Sequence, residues 1–289
     1  MHNACYPCLA RSALDVAGLA TPDEEVQRKV VQKVLARLAG LDPDTPPPLT
    51  ARFIHDTVRE LTGVADPYGP LKKQCNSMAR ELYPKLRELK DAAEPERRFD
   101  TAVRLAIAGN IIDFGVASEV GRKTVMETID HAMNTRVNGS TALLERAVRK
   151  AEHILWLGDN AGEIVFDKLL LEEINPAKVV YAVRGGPVQN DATMADAEAV
   201  GLTKIVRVID SGAAIPGTLT DHCSDEFVRV FNRADLIISK GQGNFETLPH
   251  DDPRIFFLFK AKCPVVACQG KCALGDVVIR SVHPISKDR

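Results

Sequence analysis

No apolar run in this 289-residue sequence approaches the ~20 residues of a transmembrane helix, so no membrane span is expected. Charge of one sign is also missing. Thirty-seven Lys and Arg stand against 39 Asp and Glu, a net charge of −2, which excludes the basic footprint of a nucleic-acid or acidic-membrane binder. The opening "MHNACYPCLARSALD" has no basic stretch followed by an apolar core, so no signal peptide is expected. Seven cysteines is an odd count, in a chain much longer than secreted disulfide scaffolds, and a reducing cytoplasm is the expected location. The sequence has no fixed-period repeat, no Walker pattern, no G-x-G-x-x-G opening its first α/β helix and no H-E-x-x-H. His55, His131, His153 and His250 are scattered and read as structural. Nothing points to a particular oligomeric state.

The composition that is present, 45% hydrophobic and 26% charged, suits a large core or two unequal domains. The first part reads as helices. "PDEEVQRKVVQKVLARLAGL" sets Val26, Val30, Val34, Leu35 and Leu38 on one stripe, with a start at Thr21-Pro22 and a stop at Gly40. "LTARFIHDTVRELTG" predicts a second helix opened by Thr50, and "DPYGPLKKQCNSMARELYPKLREL" a third with a kink at Pro84. "PERRFDTAVRLAIAGNIIDFG" predicts a fourth, whose apolar run is interrupted by Asn110 and Asp113.

After about residue 150 short β-branched runs alternate with helical segments. The runs are "HILWLG", "KVVYAVRG", "KIVRVIDSG", "ADLIISKG", "CPVVACQG" and "DVVIR". Continuous apolar character suits parallel strands buried on both faces. The pattern predicts an α/β fold: a Rossmann-like doubly wound sheet at 151–289, an N-terminal helical domain at 1–115, and a helical bridge at 116–150.

Sites on such sheets form beyond the carboxyl ends of the strands. Four loops meet that condition: Gly158-Asp159-Asn160-Ala161-Gly162-Glu163; "RGGPVQNDAT" with Arg184, Asn190 and Asp191; Asp210-Ser211-Gly212; and "SKGQGNFETL" with Lys240, Gly241, Gly243 and Asn244. Asp159, Asn160 and Asp191 offer only oxygen ligands, which suit a hard divalent cation such as Mg²⁺ or Mn²⁺. Lys240 adds a point charge, the glycines allow close backbone approach, and the helix starting near Ala161 aims free N–H groups at a phosphate. Taken singly, each is an ordinary cap or turn; their coincidence after three successive strands points to phosphoryl chemistry. Asn110 either caps a bend or faces the cleft. Cys5 and Cys8 form a C-x-x-C, a candidate second metal or redox site, whereas Cys223 and Cys263 read as buried small hydrophobes.

The segments "LGDNAGEIVFDKLL", "VRGGPVQNDAT" and "ISKGQGNFETL", preceded by "GNIIDFG" and an N-terminal "CYPCL", resemble the metal-dependent damage-control phosphatase family, formerly a domain of unknown function, in its prokaryotic branch with an N-terminal C-x-x-C. The resemblance covers nearly the whole chain. It implies a helical domain on a Rossmann-like domain, and a divalent metal (Mn, Mg, Co or Ni) on Asp159, Asn160 and Asp191. It also implies substrate contacts from Glu163 and from Lys240 to Asn244, and hydrolysis of small phosphomonoesters such as sugar phosphates or damaged phospho-metabolites. Eukaryotic relatives carry an Asp-Leu-Asn-Tyr-Arg run where this chain has Gln242-Gly243-Asn244-Phe245-Glu246, so their substrate preference does not transfer. On this reading Asp159, Asp191 and Lys240 carry catalysis, with Asn160, Glu163, Gly241, Gly243, Asn244, Asn110 and Arg184 holding substrate. Attack by water is preferred to attack by Asp159, which would otherwise serve as nucleophile and ligand at once. Two rivals are a Rossmann methyltransferase or nucleotide-binding enzyme, and a non-enzymatic metal or redox module built on Cys5 and Cys8.

Overall fold

A computed structural model describes residues 1–111, 126, 127, 129, 130, 133–135 and 137–282. Asp113, His131 and part of the 116–150 bridge lie outside the described residues. Helix α1 (Cys5–Ala20) is followed by α2 (Glu24–Ala39), which opens at Asp23, whose carboxylate accepts the N–H groups of Glu25 and Val26. The α2 stripe is Val30, Val34 and Leu38, all buried. Leu35 falls off it, 47% exposed, because one residue past Val34 is a rotation of about 100° around the helix. Helix α3 (Pro47–Thr62) begins three residues before Thr50, with proline in its first turn, and ends at Gly63 in the left-handed region. These three helices enclose a core of their own, including Ala13, Val16, Val30, Val34, Ile54 and Val58.

Helix α4 (Gly69–Asp91) runs unbroken through Pro84, and α5 (Pro95–Ile111) follows it. Their apolar faces do not join the first three helices. Leu86, Leu105 and Ile107 share one core with Trp156, Phe166 and Tyr181 of the α/β part. Helices α1–α3 thus keep a core apart, while α4 and α5 share theirs with the sheet.

The sheet has the order β1-β7-β6-β5-β2-β3-β4, with β1 (Val137–Asn138), β2 (Ile154–Leu157), β3 (Val179–Val183), β4 (Arg207–Asp210), β5 (Leu236–Lys240), β6 (Ile255–Lys260) and β7 (Val277–Arg280). All neighbours pair parallel except β6 and β7. Central strands are buried on both faces: Ile154 and Trp156 face the core shared with α4 and α5, Leu155 and Leu157 a second core with Phe227 and Phe245. Crossover helices include α6 (Thr141–Lys150), α7 (Glu163–Leu171), α8 (Met194–Ala199), α9 (Asp225–Arg233) and α10 (Gly241–Thr247). The predicted strand "CPVVACQG" is instead helix α11 (Pro264–Gln269), because Pro264 fixes a helical φ at its first turn and the Cys263 sulfur accepts the Val266 N–H. The strand in that part of the chain is the preceding apolar run "IFFLFK". Among the described residues no helix is long and apolar enough to cross a membrane.

Strand β2 is the pivot. The chain leaves it towards β3 and β4, then returns to lay β5 on its other flank. The crevice beyond the carboxyl ends of β2 and β5 is thus the topological switch point where ligands of open α/β sheets bind. Polar contacts clamp the helical layers over it. The Gln189 N–H donates to His55 Nε2 at 3.1 Å, Arg59 donates to Pro187 O at 3.1 Å, and the Gly162 N–H donates to Asn76 Oδ1 at 2.7 Å.

Burial, with Arg59 nearby, lowers the His55 imidazole to about 4, so it is neutral in the fold. The unfolded chain takes up that proton near pH 6.5, so the stability this group permits is complete above pH 6.5 and is lost as pH falls towards 4. The difference in unfolding free energy between the wild type and His55→Gln is expected to narrow by about 3 kcal/mol between pH 7 and pH 4. Denaturant midpoints at the two pH values measure it; a constant difference contradicts the assignment.

Candidate active site

Two loops at the switch point are stitched together. Asn160 and Asp191 form an antiparallel bridge; the Ala161 N–H donates to Asn190 O at 2.9 Å and the Ala192 N–H to Asp159 O at 2.8 Å. This places Asp159, Asn160 and Asp191 side by side although 31 residues separate Asn160 from Asp191 in sequence. Gly241 faces them with φ +79°, and a Cβ built there would stand 2.0 Å from Asp159 Oδ2. Only glycine lets the start of α10 close on that carboxylate.

Beneath this surface lies a buried ionic network. Asn110, from the end of α5, donates Nδ2 to Asp159 Oδ2 at 2.9 Å and to Glu163 Oε2 at 2.8 Å. Asn160 Nδ2 donates to the same two oxygens at 2.7 and 3.0 Å. Arg184, 3% exposed, donates Nε to Asp191 Oδ2 at 2.6 Å and its terminal nitrogens to Gly217 O and Asn244 Oδ1. Asn244 in turn donates to Lys240 O at 2.8 Å. Asn110, Arg184 and Asn244 therefore position other groups of the site from below.

Lys240 is not where a substrate-binding lysine would be. Its side chain is fully buried, and its ammonium donates to Ala106 O at 3.0 Å and to Asp167 Oδ1 and is ion-paired with Glu163 Oε1 at 2.7 Å. Asp167, which sequence reasoning missed, also accepts Tyr181 Oη at 2.6 Å and Trp156 Nε1 at 3.3 Å. Its signal was a second acid four residues after Glu163 in the otherwise apolar "EIVFDKLLL", hence on the same helix face. The helix start is likewise engaged: the N–H groups of Ala161 and Gly162 donate to Asn190 O and Asn76 Oδ1, so neither is free for a phosphate.

The electrostatics follow from counting charges. Four buried carboxylates, Asp159, Glu163, Asp167 and Asp191, face two buried cations, Arg184 and Lys240, so with all four ionised two negative charges would stand in excess. Burial pushes the Asp159 carboxyl up to about 8, and the charges of Glu163 and Asp191 add to the rise. Burial also raises Asp191, outweighing Arg184, and pushes Asp167 up to about 6, outweighing Lys240. At Glu163 the balance reverses: Lys240 and the donated amide N–H groups overcome burial and hold it below its ordinary value. Burial disfavours the Lys240 ammonium, but Asp167 and Glu163 more than offset this and raise its pKa.

Above the network opens a cleft of about 690 Å³ whose lining includes Asp159, Asn160, Asp191 and Gly243 on one side, and Leu9 and Tyr68 of the helical layers on the other. Cys5 and Cys8, on the first turn of α1, line the same cleft, and burial raises both thiols, away from the reactive thiolate. Cys263 also lines it, half-buried like Cys223, and is not the fully buried small hydrophobe expected. Among the described residues no three His, Cys, Asp or Glu groups form a ready cation cage. The donors on offer are two carboxylates and an amide: Asp159 Oδ1, Asp191 Oδ1 and Asn160 Oδ1 accept no hydrogen bond among the described residues. These hard oxygens fit Mg²⁺- or Mn²⁺-type ions.

Comparison with known proteins identifies the family. A profile of the damage-control phosphatase ARMT1-like domain matches residues 1–278. A damage-control phosphatase of Pyrococcus horikoshii is 37% identical over 284 residues, 95% of each chain. One of Archaeoglobus fulgidus is 34% identical over 292 residues, 96% of this chain and 98% of its own. The crystal structure of a DUF89 family protein from P. horikoshii superimposes with a TM-score of 0.89 at 35% identity, covering 98% of this chain and 99% of that one. By sequence match over nearly its whole length and by fold, the chain belongs to the damage-control phosphatase family with the ARMT1-like domain.

Proposed function

We propose that this protein is a metal-dependent phosphatase acting on small phosphomonoesters, sugar phosphates or damaged phospho-metabolites among them. The observation that carries the reading is the set of four buried carboxylates facing two buried cations beneath three oxygens that accept no hydrogen bond among the described residues; fully ionised, that set is short by the charge of one divalent cation. Asp159, Asn160 and Asp191 would hold that cation, and Mn²⁺, Mg²⁺, Co²⁺ and Ni²⁺ all suit the donor set. Bound there, it would neutralise charge on the transferring phosphoryl group and lower the pKa of water.

The chain's own residues supply the preorganisation. Asn110 and Asn160 fix Oδ2 of Asp159, leaving Oδ1 with only a 3.9 Å ion pair to Arg184, and Arg184 fixes Oδ2 of Asp191. Glu163 is wholly buried and ion-paired, so it positions Asn110, Asn160 and Lys240 and does not exchange protons with substrate. Asp159 has one oxygen bonded twice and its carboxylate pressed against Gly241, which suits a fixed ligand and not an attacking nucleophile. Water is therefore the nucleophile in this reading. The apolar helical wall gives the cleft room for a leaving group and partly excludes bulk solvent, which strengthens the site's electrostatics.

Chelator-treated protein is expected to lose p-nitrophenyl phosphate hydrolysis and to regain it with added Mn²⁺ or a related ion. Asp191→Ala is expected to reduce the restored rate at least about 100-fold; full metal-dependent activity in that variant contradicts the site. Gly241→Ala should cost roughly 1–3 kcal/mol in thermal unfolding through its backbone alone, and should displace Asp159 and abolish turnover. Lys240→Met strands Glu163 and Asp167 without their cation. A loss of about 3–5 kcal/mol in chemical denaturation is expected, whereas a lysine that only met substrate would leave stability unchanged.

A further inference from the structure

A second cavity, of about 600 Å³, opens at the amino ends of β2, β3 and β4, the opposite end of the sheet from Asp159 and Asp191. Its size falls within the ~300–1,000 Å³ of small-molecule sites. Lys178, Lys204, Arg207, Arg233 and His153 line it, and among the described residues no Asp or Glu does. Carboxylates beyond the lining answer part of this charge. Glu152 pairs with Lys178 at 3.0 Å and Glu226 with Arg207 at 2.7 Å, while Asp235 accepts the N–H groups of Glu152 and His153, both at 3.0 Å. Lys204 and Arg233 are exposed, and neither has a carboxylate partner among the described residues; Arg233 meets His153 Nε2 at 3.2 Å.

The floor between these cations is aliphatic. Leu155, Val180 and Arg207 stand level with one another across β2, β3 and β4, so their side chains share one face of the sheet. Val180 is the one residue of β3 that is not buried. Helix α9 packs on this face, but it has nine residues and ends at Arg233, so it leaves the amino end of the strand uncovered. Val230, on the last turn of α9, is half-buried beside it, and both valines pack on the second core. Thr203 is the one side-chain hydroxyl of the lining, and His153 its one ring. Such a lining suits an aliphatic body better than the polar edges of a nucleobase.

We propose that this groove is a binding site for a small amphiphilic anion, an aliphatic chain ended by one carboxylate. The chain lies over Val180 and Val230, and Lys204 and Arg233 meet the carboxylate. Covering the two half-buried valines removes apolar surface from water, and the charge of the head group answers the two cations that the protein leaves without a carboxylate. The stems of Lys204, Arg207 and Arg233 add apolar length to the walls while their heads stay in water. Neither half of such a ligand suffices alone: the cations are exposed and hold a bare anion weakly, and the apolar strip is too narrow to retain an uncharged chain. The site shares no residue with the cleft above Asp159 and does not rest on the phosphatase reading.

The test titrates the full chain with decanoate, below its micelle concentration, in a calorimeter. Acetate, which lacks the chain, and decanol, which lacks the charge, are titrated in parallel. Saturable binding of decanoate is expected, with acetate and decanol each at least about tenfold weaker. The double variant Lys204→Glu/Arg233→Glu is expected to weaken decanoate about tenfold. Its melting temperature and any p-nitrophenyl phosphate turnover should not change, because both side chains are exposed and lie far from the cleft. Lys73→Glu, on the exposed face of α4, makes a charge change of the same kind elsewhere and should leave binding intact. Absence of saturable decanoate binding overturns the proposal, as does binding that persists in the double variant or falls equally in Lys73→Glu. Acetate or decanol binding as tightly as decanoate contradicts the amphiphilic ligand. A dimer in light scattering that the double variant dissociates assigns the groove to a second copy of the chain, and overturns the proposal as well.

Discussion

The ammonium of Lys240, sealed between Glu163 and Asp167 below the carboxyl end of the sheet, is the interaction on which the site depends. It joins three elements: β5, which carries it; α7, which supplies both acids four residues apart; and α5, whose Ala106 carbonyl accepts a hydrogen bond from it. A buried ion pair of this kind adds little net stability, because desolvation consumes most of the Coulombic gain. What it supplies here is registry. Glu163 held by Lys240 orients Asn110 and Asn160, and these orient Asp159. The lysine acts on the chemistry at two removes.

The same network explains why the site invites a cation. A pair of carboxylates at the surface costs little, but these carboxylates are buried and two more lie beneath them. Arg184 and Lys240 neutralise half the charge. The remainder emerges as the upward displacement of the Asp159 carboxyl, a group that the fold desolvates and then surrounds with like charge. In the proposed function a divalent ion held by Asp159, Asn160 and Asp191 would relieve both costs at once. The topological switch point puts those oxygens at the mouth of a cleft, and the separate three-helix layer roofs it.

Much of this is legible in the sequence. The alternation of apolar runs and helical segments places the loops after β2, β3 and β5 on one rim, so the convergence of Asp159, Asn160, Asp191 and the Gly241 turn follows from topology. Strand order, however, is not written in periodicity, and neither is the direction of a side chain at a strand's last residue. Lys240 looks like a phosphate contact because it ends a strand beside glycines; the pleat turns it instead towards α5 and α7. Asp167 passes for an ordinary helix acid because its partner is 73 residues away. Nor does a run such as Val265-Val266 distinguish strand from helix; Pro264 before it is the better guide, and the continuous "IFFLFK" the better strand. Nor does periodicity show which core α4 and α5 join, because both look amphipathic whichever core they face.

The proposed function turns on a cation meeting the charge of the buried carboxylates. Titration of metal-stripped protein with Mn²⁺ in a calorimeter tests this most directly. One ion per chain is expected, with the heat lost in Asp159→Asn while the fold, followed by circular dichroism, stays intact. No saturable binding, or a stoichiometric ion that persists unchanged in Asp159→Asn, would contradict it.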